Sequence, residues 1–212
     1  MKIKKLGHSC FVVEAKAGIR VMTDPGAFST LQNEEKNISA ILITHEHQDH
    51  FNIDSLKKVF GNNPEAIVIT QTAIGKILDE AGIKYTKIED GQSYDLGGVK
   101  ILGFGDMHAE IYGTYGRVQN TGYMIGSLCY PGDSFAKPNV QVDILALPVA
   151  APWLKLKDAI DYAKDIKPRV VFSVHDAILS EFASYVPRIV GQFMDESGIE
   201  LRKMEIGKEE DL

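Results

Sequence analysis

Cysteine and long apolar runs are scarce in this sequence of 212 residues. The two cysteines, Cys10 and Cys129, cannot form a disulfide framework, and because both lie in apolar segments we expect buried free thiols. No apolar run approaches the roughly 18 residues that suggest a membrane span. The basic start over residues 1–5 is followed by Gly7-His8-Ser9 and not by the apolar stretch of a signal peptide. These absences predict a cytoplasmic protein with no membrane partner.

Positive charge is also in short supply. The chain has 23 Lys and Arg residues against 29 Asp and Glu residues, which gives a formal net charge of −6 at pH 7. Proteins that grip nucleic acid normally present a basic face or domain, so we expect a small-molecule substrate and no DNA partner. A small anionic substrate held by one or two local cations stays compatible with this balance, and a homo-oligomer is left open.

Length and composition predict one ordinary globular domain over residues 1–212. The sequence is 44% hydrophobic and 25% charged, and its acidic tail, residues 207–212, is expected to fray. Short strands with early hairpins, one of them turning at residues 16–18, are followed by strands that alternate with helices near residues 52–60, 72–82, 157–166 and 185–196. This order predicts an α/β (α+β) fold, a four-layer αββα sandwich of two mixed sheets flanked by helices.

One motif stands out, His45-Glu46-His47-Gln48-Asp49-His50. It follows the apolar run of residues 40–44, which predicts a buried strand. Imidazole nitrogen and carboxylate oxygen suit Zn²⁺, and a catalytic zinc site needs three such ligands and an open position. A solvated polar loop is the alternative reading of the motif.

The remaining histidines strengthen the metal-site interpretation. The chain has only 6 histidines, and His8, His108 and His175 each lie at the end of a strand-like run. Asp133 follows another short apolar run in the same way. Ligands that arrive singly from the ends of several strands can assemble a metal centre at one rim of a sheet.

Together these residues resemble the metallo-β-lactamase-fold, metal-dependent hydrolase superfamily. The matching positions, in chain order, are His45, His47, Asp49, His50, His108, Asp133 and His175. Gly7-His8-Ser9 and Thr23-Asp24-Pro25 resemble the compact L-ascorbate-6-phosphate lactonase-like and phosphodiesterase-like branch. The resemblance covers residues 1 to about 206 and is specific for the fold and metal site, but weak for the substrate.

The resemblance implies two divalent metal ions, with zinc as the first choice and manganese as the second. It divides the residues into a first ligand set, a second ligand set and a bridge: His45, His47 and His108; Asp49, His50 and His175; and Asp133. A hydroxide that bridges the ions would attack a small ester, lactone or phosphodiester. Asp49 would orient that water or accept its proton, which makes Asp49 and Asp133 candidate catalytic residues.

Two further residues near the start of the chain are candidates. His8 is needed by neither ligand set and is a third candidate catalytic residue, expected beside the substrate or in the layer that orients the ligands, with a purely structural hydrogen bond as the alternative. Asp24 either caps the Pro25-Gly26 turn or orients a ligand histidine, and we favour the second interpretation.

Candidate substrate contacts come from two later segments. Residues 110–120 follow His108 and are rich in glycine and tyrosine, so they form either an ordinary hairpin or a loop over the site. In the second case the contacts would include Tyr112, Tyr115, Arg117 and Asn120, with the last two meeting an anionic group. Trp153, the single tryptophan, is either a core residue or part of the pocket wall.

Four other functions compete with a small-molecule hydrolase. A true β-lactamase is disfavoured because a cysteine often serves where Asp133 stands, and a diiron redox enzyme because those relatives usually carry Glu at the position of His47. An RNA-processing, nuclease-like phosphodiesterase uses a similar metal set, but this chain is acidic and lacks an obvious RNA-gripping insertion. A non-catalytic metal-binding module is the last alternative, since a fold alone never establishes a function.

Overall fold

A computed structural model describes residues 1–16, 18–183 and 185–212, which form two seven-stranded sheets. The first sheet contains β1 (Lys2–Lys5), β2 (Phe11–Lys16), β3 (Ile19–Thr23), β4 (Ala40–Ile43), β5 (Ile67–Thr70), β6 (Thr86–Lys87) and, from the end of the chain, β14 (Glu209–Asp211). The second contains β7 (Ser93–Leu96), β8 (Val99–Phe104), β9 (Gly122–Ile125), β10 (Leu128–Tyr130), β11 (Ile144–Pro148), β12 (Val170–Val174) and β13 (Glu200–Arg202). Their spatial orders are β14-β1-β2-β3-β4-β5-β6 and β13-β12-β11-β10-β9-β8-β7.

Helices cover the outer face of each sheet. They are α1 (Ile53–Asn62), α2 (Thr72–Glu80), α3 (Leu156–Ile166) and α4 (Tyr185–Asp195), with short 3-10 turns at Leu31–Glu34 and Glu181–Ala183. None of these helices, within the described ranges, combines the length and apolarity that crossing a bilayer requires.

Three apolar cores separate the four layers. Leu42 of β4 packs between the sheets with Phe172 of β12, whereas its neighbour Ile41 points to the opposite face and packs with Leu56 of α1, as the alternation of side chains along a strand requires. On the far side, Leu145 of β11 packs in the core that also contains residues of α3 and α4. The predicted αββα sandwich is therefore confirmed.

The topology brings several strand ends to one edge of the sandwich. In the first sheet β3, β4 and β5 run parallel, and in the second β10, β11 and β12 run parallel. The His45 motif follows β4, Asp133 follows β10 and His175 follows β12. Because the carboxyl ends of parallel strands lie together, this edge gathers ligands from both sheets.

The structure corrects the prediction that residues 207–212 fray. β14 pairs antiparallel with β1, with Lys2 opposite Asp211 and Lys4 opposite Glu209, and Lys2 Nζ lies 3.2 Å from Glu209 Oε1. The tail lacks the apolar alternation of a strand, so cross-strand charge pairs supply an interaction that a strand pattern cannot reveal. The turn predicted at residues 16–18 includes Ala17, which lies outside the described residues.

Candidate metal centre

The His45 motif forms a compact turn between β4 and α1. The backbone N–H groups of His50 and Phe51 both donate to the carbonyl of His47, at 2.9 and 2.8 Å, and the Asn52 side chain accepts from Ser55 N at 2.9 Å to cap α1. Gly26 packs on this turn so closely that a Cβ there would lie 2.0 Å from Asp49 O. The motif is therefore held by backbone contacts as well as by its neighbouring elements.

The structure brings all seven residues of the predicted ligand sets together. Potential ligand atoms of His45, His47 and His108 lie within 4.8 Å of one another, and so do those of His8, Asp49, His50 and His175. Asp133 lies between the two groups. Its Oδ2 is 3.3 Å from Nε2 of His108 in the first ligand set and 3.0 Å from Nε2 of His175 in the second.

Hydrogen bonds at Nδ1 orient four of the histidines. The pairs are His45 with Thr44 Oγ1 at 2.9 Å, His50 with Asp24 Oδ2 at 2.7 Å, His108 with the Ala109 carbonyl at 2.5 Å and His175 with the Ala150 carbonyl at 2.5 Å. A carbonyl oxygen only accepts, so Nδ1 carries the proton in His108 and His175. In the neutral rings Nε2 then has the free lone pair that binds metal.

These Nε2 atoms provide the test of whether metal ions fit. Nε2 of His45, His50, His108 and His175 is buried and has no hydrogen-bond partner among the described residues, and Oδ1 of Asp133 shares this condition. Buried polar atoms normally have partners, so several that converge without one need an explanation. Divalent cations satisfy imidazole nitrogen and carboxylate oxygen together, and the residues present fit such ions.

Asp24 is a fully buried carboxylate that reaches histidines of both sets. Its Oδ2 accepts hydrogen bonds from His50 Nδ1 at 2.7 Å, Tyr130 OH at 2.6 Å and Thr44 Oγ1 at 2.7 Å. Because the Thr44 hydroxyl proton points to Asp24, its oxygen accepts from Nδ1 of His45. Asp24 thus orients His50 directly and His45 through Thr44, as the sequence interpretation favours.

His8 has the opposite tautomer. Its Nδ1 accepts a hydrogen bond from the backbone N–H of Ala177 at 3.2 Å, so the neutral ring carries its proton on Nε2. That atom lies 3.3 Å from Oδ2 of Asp49. By distance His8 could join the second ligand set, but its tautomer places an N–H toward Asp49 instead of a lone pair toward a metal ion.

Burial and neighbouring charges shift the pKa values of the cluster residues in different directions. Burial lowers the pKa of His45 well below its usual value and also lowers that of His47. Burial opposes ionisation of Asp133, yet the charge of His50 and contacts with other histidines hold its pKa well below the ordinary range. Burial also disfavours the charged form of His175, but Asp133 and Asp49 raise its pKa to about 9.

A cavity of about 540 Å³ opens over the cluster. Its floor contains His47, Asp49, His108, Asp133 and His175. Of the predicted substrate contacts, Tyr115 and Trp153 line this cavity, whereas the exposed side chains of Tyr112 and Arg117 are not among its described lining residues.

Two predicted contacts have more specific positions. Trp153 lies in the pocket wall, where its Nε1–H donates to Asp133 Oδ2 at 2.8 Å. The prediction that Asn120 contacts substrate is wrong. Asn120 is fully buried, its amide donates to the Pro131 carbonyl at 3.0 Å, and its Oδ1 accepts from Asp133 N at 3.0 Å. It fixes the loop that carries Asp133.

Sequence reasoning missed Thr44 and Tyr130. Thr44 stands directly before the motif, and its position at the end of a strand beside a histidine is a signal that could have been used. Tyr130 lies in the apolar run Leu128-Cys129-Tyr130, where an aromatic residue indicates only a core position. Its contact with Asp24 spans 106 positions in the chain and has no local signature.

Comparison with known proteins places this geometry in context. The profile of the beta-lactamase superfamily domain matches residues 2–175. Protein Rv0786c of Mycobacterium tuberculosis is 33% identical over 188 residues, which cover 85% of this chain and 86% of that protein. The UPF0173 metal-dependent hydrolase Ta0764 of Thermoplasma acidophilum is 24% identical over 190 residues, covering 82% of this chain and 83% of that protein.

The fold is also found among solved structures. The structure of Igni18, described as a novel metallo hydrolase from Ignicoccus hospitalis KIN4/I, superposes with a TM-score of 0.79 and 22% sequence identity. The match covers 100% of this chain and 98% of that chain. At this identity the likeness concerns the fold.

Proposed function

The chain belongs to the beta-lactamase superfamily and is a metal-dependent hydrolase of the metallo-β-lactamase fold, and from this premise we propose that it hydrolyses a small ester, lactone or phosphodiester at a pair of divalent metal ions. The single observation that supports a pair of metal ions is the position of Asp133. One of its oxygens contacts a histidine of each ligand set, at 3.3 and 3.0 Å. A carboxylate at that position is suited to bridge two ions.

The ligand sets assign the protein's part in holding the ions. His45, His47 and His108 would bind the first ion, and Asp49, His50 and His175 the second, with Asp133 shared. Zinc is our first choice and manganese the second, because imidazole and carboxylate ligands admit both. When bound, such ions polarise the scissile group and make a coordinated water acidic enough to react near neutral pH.

Asp49 would position the water that attacks the substrate. It is half-buried and belongs to the cavity floor. Burial alone would raise the pKa of Asp49, but the contacts with His175 and His8 lower it well below the ordinary range. Such a carboxylate is a weak base, so this environment favours orientation of water over proton transfer.

Trp153 and Asn120 would support Asp133 from two sides. The indole N–H of Trp153 contacts the carboxylate, while Asn120 accepts from the backbone N–H of Asp133. Together they fix both ends of the residue, which leaves its second oxygen, Oδ1, 3.1 Å from Nε2 of His50. This support would hold the bridge rigid in the metal-loaded protein.

The test is metal-dependent turnover of bis-p-nitrophenyl phosphate, p-nitrophenyl acetate and a simple lactone. We expect turnover of at least one substrate by zinc- or manganese-loaded protein and none after chelation. Asp133→Ala should lose metal content and turnover together, while Asp54→Ala, a change at an exposed residue of α1, should retain both. Inactivity of fully metallated protein toward all three substrates would overturn the proposal in favour of a metal-binding module. Normal activity of Asp133→Ala would show that Asp133 does not bridge two ions.

A further inference from the structure

The walls of the cavity over the metal centre differ sharply from its floor. The floor is polar, but the walls are built from apolar side chains supplied by four different loops. These side chains are Phe28, Ile111, Tyr115, Pro152, Trp153 and Ile178. A substrate whose reactive group reaches the floor must therefore place its remaining atoms against apolar surface.

Cationic side chains are missing from this surface. Among the described residues that line the cavity, none is a lysine or arginine, and the only carboxylates are the floor residues Asp49 and Asp133. Arg117, the candidate for binding an anionic group, is exposed and lies outside that lining. A charged substituent on the substrate would lose water here without gaining an ion-pair partner, which is unfavourable.

Several wall residues leave apolar area open to solvent. Phe28 is 44% exposed, Tyr115 74% and Ile178 48%. A ligand that covers such side chains gains hydrophobic stabilisation in proportion to the area it removes from water. A substrate that has no apolar part would leave these side chains in contact with water.

We propose that the substrate carries an uncharged, apolar acyl, alkyl or aryl group next to its scissile bond, and that the wall of Phe28, Tyr115 and Ile178 binds this group. The proposal specifies the substrate class of the hydrolase function proposed above and rests on that function. It replaces the expectation of an anionic group beside Arg117.

Another groove of similar size does not compete for this role. It has a volume of about 560 Å³ and lies beside α1, β5 and β6, lined in part by Lys57, Glu65 and Lys84. Its described lining includes no histidine or cysteine, so it lacks the imidazole ligands of the metal centre. The apolar wall at the metal centre is the surface that a reacting substrate would meet.

The single tryptophan makes binding measurable without turnover. Trp153 lies in the cavity wall and is absent from the lining of the other groove, so quenching of intrinsic tryptophan fluorescence reports ligands at the metal centre. Zinc-loaded protein is titrated with butanamide, hexanamide and protonated 6-aminohexanamide, which share an uncharged head group and resist hydrolysis. We expect hexanamide to bind about tenfold more tightly than butanamide, as two additional buried methylenes predict, and 6-aminohexanamide to bind at least about tenfold more weakly than hexanamide.

Matched variants locate the effect on the wall. Ile178→Ser should reduce the preference for hexanamide over butanamide to about threefold or less. Ile206→Ser removes an isoleucine of similar exposure, 55% against 48%, that lies outside the cavity lining, and it should leave the preference unchanged. Ile178→Lys should weaken hexanamide binding and destroy the chain-length preference.

Turnover separates this proposal from the hydrolase function itself. With p-nitrophenyl acetate, butyrate and hexanoate, kcat/KM should rise with chain length, and mono-p-nitrophenyl adipate, which ends in a carboxylate, should react at least about tenfold more slowly than the hexanoate. If metal-dependent turnover occurs but is flat with chain length or favours the adipate, the apolar-substrate proposal is overturned and the hydrolase function stands. If no ester, lactone or phosphodiester turns over, the hydrolase function fails, and the amide titrations still decide whether the wall binds apolar groups.

Discussion

The imidazole of His8 lies with Nε2 3.3 Å from Oδ2 of Asp49 while its Nδ1 accepts a backbone hydrogen bond. This arrangement separates His8 from His108 and His175, whose Nδ1 atoms donate to backbone carbonyl oxygens. We therefore expect His8 to act on the metal centre through Asp49. A change at His8 should affect how Asp49 is held without removing a ligand.

His8→Phe tests that role, because phenylalanine keeps a buried ring and removes both nitrogens. We expect the variant to bind as many metal ions per chain as the parent, with about tenfold weaker affinity for the more weakly bound ion, since residues that orient ligands typically contribute 10–100-fold. Elemental analysis and chelator competition measure the two quantities. Loss of one full metal equivalent from a folded variant, shown by circular dichroism, would make His8 a ligand.

Asp24→Asn tests the carboxylate that orients a histidine of each ligand set. The replacement puts an amide among groups that all donate to Asp24, so we expect metal affinity to fall about 10–100-fold and the free energy of unfolding to fall by about 1–3 kcal/mol. Chelator competition and urea unfolding provide the measurements. Asp54→Asn, at an exposed carboxylate in the first turn of α1, is the control, and equal behaviour of the two variants would contradict the role of Asp24.

Gly26→Ala tests the backbone contact behind the His45 motif. An alanine Cβ would approach Asp49 O to 2.0 Å and His50 N to 2.5 Å, so the motif must shift. We expect a loss of about 1–3 kcal/mol in the free energy of unfolding, the usual cost of overpacking, together with weaker metal binding. Gly61→Ala is the matched control, because its added Cβ meets no described atom within 4 Å beyond its chain neighbours and the backbone of its own helix, and alanine favours the helix by about 0.5–1 kcal/mol. Unchanged metal binding in Gly26→Ala would show that the contact is not needed.

Metal binding should depend on pH differently in the two ligand sets. Burial lowers the pKa of His45 and His47, so these two histidines are largely deprotonated at neutral pH. In the metal-free protein burial opposes the charge on His175, but Asp133 and Asp49 raise its pKa to about 9. A proton therefore occupies His175 below that pH and must leave before metal binds.

We accordingly expect the affinity of the second set to increase as the pH rises from 6.5 toward 9, with release of protons on binding, and to depend on pH more steeply than the affinity of the first set. Chelator competition with zinc at several pH values measures both steps. His175→Ala should bind the second ion more weakly and flatten its pH dependence. If binding of the second ion to the parent protein does not depend on pH, this prediction is contradicted.

Local sequence accounts for part of this structure. The strand over residues 40–44 and the His45 motif were readable because the apolar run and the ligands are adjacent, and the order of His108, Asp133 and His175 suggested where the other strand ends meet. The contacts that orient the site residues could not be predicted from local sequence. Trp153 with Asp133, Tyr130 with Asp24 and His8 with Asp49 join residues 20, 106 and 41 positions apart, so only the folded sheets bring them together.

The failed predictions have the same physical origin. Asn120 has the hydrogen-bonding groups of a substrate contact, but both of them are used by the loop over residues 131–133. The acidic strand Glu209–Asp211 has little strand propensity of its own and forms because β1 presents lysines opposite to it. In each case the partner, which is distant in sequence, determines the outcome.

The most direct test of the central claim is to titrate hydrolytic turnover against metal equivalents in protein freed of metal by chelation. Two ions held by separate ligand sets and joined by Asp133 predict that the rate increases until two equivalents of zinc or manganese have bound per chain. The same titration of Asp133→Ala should show no such rise. Full turnover reached at a single bound equivalent, with the second set empty, would contradict the dinuclear account.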